Sequence, residues 1–321
     1  MREGFPPVHL PADSRPRVVA WSGRTQEEAG GVREGLAGFF ATLDAGRFAD
    51  AVAVLQRGRT PHPVRGAVVA ATPAEAAAAL ATAPASASGG TAGPGVRFVF
   101  PSGGAGRLGA SLYGAERLFS ETMDVCLEGF ERHGVDLYDA WLAGERDDDP
   151  VTFAVTYSLA ATLTAWGVTP LVCTGEGVGE LTAAAFSGTL ELDEAIARVA
   201  ASASASVAVP ERASVRAPEP VADDAMAVPE PVPDDLAVPG PVPDDLAAPE
   251  PLPGHETFHA PQVSSEAVPG RGTTGDTPSL LVGTAQAPPD EGTIDCGDDR
   301  RGLLTALARL WTLGCPVDWV A

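Results

Sequence analysis

The chain has 321 residues, a formal net charge of −22 and an isoelectric point near 4.4, and its 21 cationic side chains are all arginines. A protein this acidic lacks the basic surface needed to grip nucleic acid or an anionic membrane. The absence of lysine excludes Schiff-base chemistry and a P-loop lysine, and the length allows one large domain or two smaller ones.

Met1 to Pro16 holds no apolar core of the kind a signal peptide needs, and no later apolar run reaches the length of a membrane span. The chain is therefore expected to be cytoplasmic, neither exported nor membrane-spanning. Val18-Val19-Ala20-Trp21-Ser22 reads as a short strand. From Thr25 to Leu43, Val32, Leu36, Phe39, Phe40 and Leu43 recur at helical spacing with one apolar face. A second helix is expected around Ala49 to Leu55, and a second strand over Val64 to Ala70. Thr72-Pro73 then opens an alanine-rich helix, with threonine as N-cap and proline in the first turn. Pro84 to Gly95 (PASASGGTAGPG) has the composition of a flexible linker.

Val96 to Phe100 reads as a buried strand that ends in Pro101 and a glycine-rich turn. Amphipathic helical patterns are expected from Tyr113 to Arg132 and from Val151 to Trp166. Pro170 to Cys173 is another short apolar strand, running through Thr174-Gly175-Glu176-Gly177-Val178-Gly179-Glu180 into a helix that starts near Leu181. Strand, helices, strand, sharp glycine turn and helix make a parallel α/β pattern. The pattern then breaks into four approximate repeats starting at Pro218, Pro229, Pro239 and Pro249, such as PEPVPDDLAV. Repeated proline blocks both helix and sheet ladders, and paired aspartates oppose collapse, so 203–253 is expected to be extended, acidic and disordered. The chain closes with an amphipathic helix from Arg301 to Leu313, whose apolar face carries Leu303, Leu304, Leu307, Leu310 and Trp311. Cys126, Cys173, Cys296 and Cys315 have neither CxxC spacing nor histidine partners, so they read as ordinary thiols and no metal site is expected.

Taken in order, these segments resemble the region that follows a ketosynthase in modular polyketide synthases. VVAWSGRTQEEAGGVREGLAGFF and FADAVAVLQRGRTPHPVRGAVVAATPAEAAAAL, with Leu55 to Arg59 inside it, resemble the linker domain between ketosynthase and acyltransferase. VRFVFPSGGAG stands where acyltransferases carry a strand ending in FPGQGSQ. VTFAVTYSLAATLTAWGVTPLVCTGEGVGELTAAAF is similar to the family's helix, strand and GHSxGE nucleophile elbow. FHAPQV resembles the motif of the catalytic histidine, and LLTALARLWTLGCPVDW the helix and VDW ending beyond it. The fold implied is α/β: a small α/β linker domain, then a truncated α/β-hydrolase-like acyltransferase core interrupted by the acidic Pro-rich linker. The corresponding division is 1–84 linker-like, 85–95 flexible, 96–202 first part of the core, 203–253 disordered repeats, and 254–321 the remainder with its terminal helix.

The family's reaction moves a malonyl-type group from coenzyme A to serine and then to a carrier thiol. It needs a nucleophile on a strained strand-to-helix turn, a histidine base, oxyanion donors and a cation for the extender carboxylate. Matched position by position, the nucleophilic serine falls on Gly177 and the histidine before it on Glu176. The oxyanion glutamine falls on Gly103, with its neighbours altered to Ser102, Ala105 and Gly106. The carboxylate-binding arginine falls on Ser202, and Arg198 lies one turn too early to replace it. His259 alone keeps its place, while the motif positions before Phe258 are Glu256 and Thr257. The small subdomain that walls the family's cleft has no counterpart, and the acidic repeats stand in its position. The resemblance thus implies a degenerate acyltransferase without an intact catalytic residue, cofactor or metal. A ketosynthase or other polyketide synthase subunit is the implied partner, an acyl carrier protein is admitted, and nucleic acid and membrane are excluded. Three readings stay open: a structural or interaction role, residual transfer through His259, Cys173 or a partner's residues, and an eroding fragment. The terminal helix face could meet a ketosynthase or close this chain's own core.

Overall fold

The computed structural model describes residues 15–58, 60–87, 95–207, 278–283 and 293–319. The acidic repeats and the His259 motif lie outside the described residues, as does most of the Pro84–Gly95 segment.

The first sheet is antiparallel, in the order β1 (Arg17–Gly23), β2 (Val64–Ala70), β3 (Ser86–Ala87), with Arg17 opposite Ala70 and Gly23 opposite Val64. Between β1 and β2 run α1 (Gln26–Thr42), a single 3₁₀ turn and α2 (Phe48–Arg57), and α3 (Pro73–Thr82) follows β2. Thr25 and Thr72 cap α1 and α3, each hydroxyl accepting from the backbone N–H three residues on. Strand alternation divides β1 between two cores. Val19 and Trp21 pack with Phe40, Phe48 and Leu80 under the helices, whereas Val18 and Ala20 join the larger core on the other face.

The second sheet is parallel, in the order β5 (Pro170–Gly175), β4 (Val96–Phe100), β6 (Ser279–Leu281), β7 (Thr293–Asp295). Between β4 and β5 lie α4 (Gly106–Leu112), α5 (Arg117–Arg132), α6 (Tyr138–Leu142) and α7 (Asp149–Ala165). After β5 come α8 (Val178–Phe186) and α9 (Leu192–Val207), and α10 (Arg300–Thr312) follows β7. The α/β class is as expected, with several differences in detail. The helix expected to be amphipathic near Val151–Trp166 is α7, and 14 of its 17 residues are buried, so it is a core helix. Its internal hydroxyls bond back along the helix, as Thr156 to the Thr152 carbonyl at 2.7 Å and Ser158 to that of Ala154 at 2.8 Å. The glycine-rich turn after β4 is shorter than expected, because α4 starts at Gly106. A side chain at Gly106 would meet Asp147 Oδ1 at 2.8 Å, and one at Gly109 would meet Val155 at 2.5 Å, so these glycines serve helix packing. Residues 203–207, expected to begin the disordered stretch, instead complete α9. Alanine's helix propensity carries the Ala/Ser run as far as Val207, three residues before Pro210.

The terminal helix closes the chain's own core. Leu303, Leu307, Leu310 and Trp311 of α10 are buried in the larger cluster, and the helix lies across β2. Arg65 of β2 sits over the Trp311 ring at 4.4 Å and donates to the Cys315 carbonyl at 3.3 Å. Arg301 makes a forked pair with Glu75 of α3, at 2.7 and 3.2 Å, and Arg300 bonds Glu116 and the Pro16 carbonyl.

Candidate active site

Strands β5 and β6 flank β4 on opposite sides, so the strand order reverses at β4. In open α/β sheets ligands bind outside the carboxyl ends of the strands at such a reversal. Pro101 to Ala105 leaves β4 there, and Glu176-Gly177 joins β5 to α8 beside it. The two segments are tied by the Glu176 N–H donating to the Phe100 carbonyl at 3.3 Å.

The turn after β5 is the sharp elbow that the sequence suggests. Gly177 has φ +57° and ψ −124°, and the Gly179 N–H donates to the Glu176 carbonyl at 2.9 Å. These are the dihedrals of the first central residue of a type II′ turn, where glycine is the preferred occupant. The flanking glycines have a different reason. A side chain on Gly175 would strike the Gly179 carbonyl oxygen at 2.2 Å, and one on Gly179 would strike the Phe100 carbonyl oxygen at 2.2 Å. Gly175 and Gly179 therefore let helix and strands touch, and Gly177 lets the backbone turn. Helix α8 begins at Val178, two to three residues before the expected start, because the turn feeds it directly.

Of the expected site residues, the structure brings Glu176, Gly177 and Gly103 to this one end of the sheet. Glu176 and Gly177 are exposed, whereas Gly103 is buried and offers no side-chain donor. The β4 loop is fastened from behind: the Gly106 N–H donates to Asp147 Oδ1 at 2.9 Å and Trp141 Nε1 donates to the Gly106 carbonyl at 3.0 Å. Ser202 is exposed on α9, and Arg198 is engaged in an i,i+4 surface pair with Glu194. His259 lies outside the described residues. Cys173 of β5 is half-buried, and burial pushes its thiol up to about 11, far from a thiolate at neutral pH. Sequence reading named Ser102 only as an altered neighbour of Gly103 and missed its place beside the elbow, where its Cβ lies 3.3 Å from where a Gly177 side chain would start. It also missed the Asp147 and Trp141 supports, since contacts 35 and 41 residues apart leave no local pattern. Among the described residues no cluster of histidine, cysteine and carboxylate could hold a metal ion, and no helix is long and apolar enough to cross a membrane.

The fold that carries this elbow has counterparts among known proteins. The acyltransferase domain of SpnD, solved in complex with 2-(pent-4-yn-1-yl)malonyl, superposes with a TM-score of 0.50 at 29% identity, covering 58% of this chain and 48% of that domain. The chain is polyketide synthase acyltransferase-like. The acyltransferase domain of ZmaA, at 21% identity and a TM-score of 0.52 over 60% of this chain and 49% of that domain, shares the fold. In sequence, 124 residues are 37% identical to the pikromycin polyketide synthase component PikAII of Streptomyces venezuelae, covering 35% of this chain. A further 52-residue match, at 48% identity, is to the polyketide synthase GfsB of Streptomyces halstedii and covers 16% of this chain. The chain spans 3% and 1% of those two proteins and about half of the solved domains. No family profile matches the chain.

Proposed function

We propose that this acyltransferase-like protein is catalytically inactive and serves polyketide biosynthesis through contact with a ketosynthase or another synthase subunit. The observation that carries the reading is the glycine at the elbow apex. At Gly177 the turn persists and no atom is available to accept an acyl group, while Gly103 leaves the opposite side without a side-chain donor for the oxyanion. Loss of one such donor alone costs roughly two to three orders of magnitude in turnover. The raised thiol of Cys173 weighs against it as a substitute nucleophile. The protein works in the cytosol, where its four thiols stay reduced.

The contact reading draws on the first sheet's helices. An apolar groove of about 570 Å³ runs between α1 and α2, lined by Val32, Leu36, Phe39, Val54 and Leu55. Phe39 is 46% exposed and Val54 70% exposed. Exposed apolar surface flanking a groove is the kind of patch that marks a protein contact.

Incubation with malonyl-CoA and methylmalonyl-CoA followed by intact-protein mass spectrometry tests the inactivity. No adduct is expected on the natural chain, and a stable acyl adduct overturns the reading. Copurification with a ketosynthase tests the contact role, with Phe39→Glu and Val54→Glu expected to release the partner while leaving the fold intact. A chain that stays alone in the presence of such partners sinks it.

A further inference from the structure

Among the described residues, and apart from its own chain neighbours, a Cβ at Gly177 would meet one heavy atom within 4 Å, the Cβ of Ser102, at 3.3 Å. Carbon atoms in unstrained contact sit at about 3.5–4.0 Å, so the two backbones must part by a few tenths of an ångström before a side chain enters at 177. The backbones have little freedom to do so. Phe100, two residues before Ser102, accepts the Glu176 N–H at 3.3 Å, and its carbonyl lies where a Gly179 side chain would be, 2.2 Å away. On the other side of Ser102 the loop is held through Gly106 by Asp147 and Trp141. Both walls are therefore anchored, and only removal of the Ser102 Cβ relieves the contact.

We propose that the elbow and the β4 loop leave room for one side chain between them, and that Ser102 takes that room and bars position 177. This makes Ser102 the positioning residue that decides whether any side chain can be accommodated at the elbow. The inference rests on the reading that Gly177 carries no nucleophile, but it concerns packing and not acyl transfer.

A double-mutant cycle on the full chain tests it, read as thermal midpoints. Gly177→Ser is expected to lower Tm in the natural background. In a Ser102→Gly background the same substitution should cost less, by about 2 °C or more, because the turn strain remains while the contact is gone. Where Gly177→Ser fails to fold, Gly177→Ala carries the same cycle with a smaller side chain. Ser102→Ala, which keeps the Cβ, should give Gly177→Ala no relief. Equal penalties at 177 in the natural and Ser102→Gly backgrounds overturn the proposal, as does relief by Ser102→Ala equal to that by Ser102→Gly. No acyl adduct is read in this cycle, so its failure leaves the inactive reading standing. An adduct found by mass spectrometry would end that reading without altering the cycle.

Discussion

At the scale of single residues, the elbow separates two uses of glycine that look alike in sequence. Gly175 and Gly179 are demanded by contact, with hypothetical side chains 2.2 Å from backbone oxygens, so their presence says nothing about catalysis. Gly177 is demanded by its dihedrals, φ +57° and ψ −124°, which an L residue adopts at a cost of about 1–3 kcal/mol, and the Ser102 Cβ at 3.3 Å adds to that cost. Gly177→Ser should therefore destabilise the protein by at least that amount and still form no acyl adduct. Urea unfolding and intact-mass measurement on the same variant check both halves. A variant as stable as the natural chain would mean that the turn is not strained. Cys173 supplies a second expectation. With its thiol pushed up to about 11 by burial, it is almost wholly protonated at pH 8. Its alkylation by iodoacetamide should be roughly two orders of magnitude slower than that of a free thiol with a pKa near 8.5. The rate should climb about tenfold per pH unit toward 11, and a free-thiol rate at pH 8 would contradict the burial. The GEGVG spacing made the turn legible in the sequence, and matching it to the elbow pattern located Gly177. Ser102 was not legible as its neighbour, because 75 residues separate them and only the parallel pairing of β4 with β5 brings them together.

At the scale of elements, β2, β4 and the terminal helix were legible almost to the residue, since each pairs an apolar periodicity with clear turn or capping residues at its ends. β6 and β7 were not, because three residues each are too few to show any period. Their strand state follows from pairing with β4 and with each other, a tertiary effect. The partner of α10 was equally hidden. Its apolar stripe showed that the helix is half-buried, and the structure shows that the covering surface is β2 and the larger core. Arg65 is the joint: it stacks on Trp311 at 4.4 Å, donates through Nη1 to the Cys315 carbonyl at 3.3 Å and through Nε to the His62 carbonyl at 3.1 Å. Only 9% exposed, Arg65 has its pKa lowered by burial, yet an arginine remains charged at any ordinary pH. Arg65→Ala removes a desolvated cation–π contact and leaves buried carbonyls without their donor. A loss of about 2–3 kcal/mol is expected in chemical denaturation. Arg65→Lys keeps the charge but loses the planar fork, so it should recover less than half of that loss. Full recovery by lysine would show that only the charge mattered. Glu75 and Arg301 hold the same helix at its other end, where the hydrogen bonds from Arg301 and from the Ala71 N–H lower the Glu75 pKa. That contribution is present above the ordinary glutamate range and fades as pH falls through the lowered value.

At the scale of the whole molecule, composition and burial combine in the response to alkali. Four thiols are held protonated by the fold. Burial pushes Cys126 and Cys296 up to about 12 and Cys173 and Cys315 up to about 11, against about 8.5 in an unfolded chain. Between these limits the unfolded state has lost protons that the folded state keeps. Stability is therefore full below about pH 8.5 and declines as pH rises toward 11 or 12. For the two fully buried thiols, Cys126 and Cys296, the limiting slope is roughly 1.4 kcal/mol per pH unit each. Tyr157, raised by burial, and Tyr113, raised first by its hydrogen bond to Asp124, add in the same direction from about pH 10 upward, where an unfolded tyrosine ionises. In most proteins this signal is blurred by lysines titrating near pH 10. Here there are none, and the arginines stay charged, so below about pH 10 the alkaline limb reports mainly the cysteines. Together the two slopes remove roughly 2.7 kcal/mol per pH unit and at most about 9.5 kcal/mol by pH 12, enough to unfold a protein in the lower half of the typical range of about 5–15 kcal/mol. Thermal midpoints at pH 7.5, 8.5, 9.5 and 10.5 should fall progressively more steeply, and Cys126→Ala with Cys296→Ala should flatten the decline. The alanine pair will lower stability at neutral pH by opening small cavities, so the comparison is between slopes and not between absolute midpoints. An alkaline limb that stays equally steep without those two thiols would show that their burial does not control it.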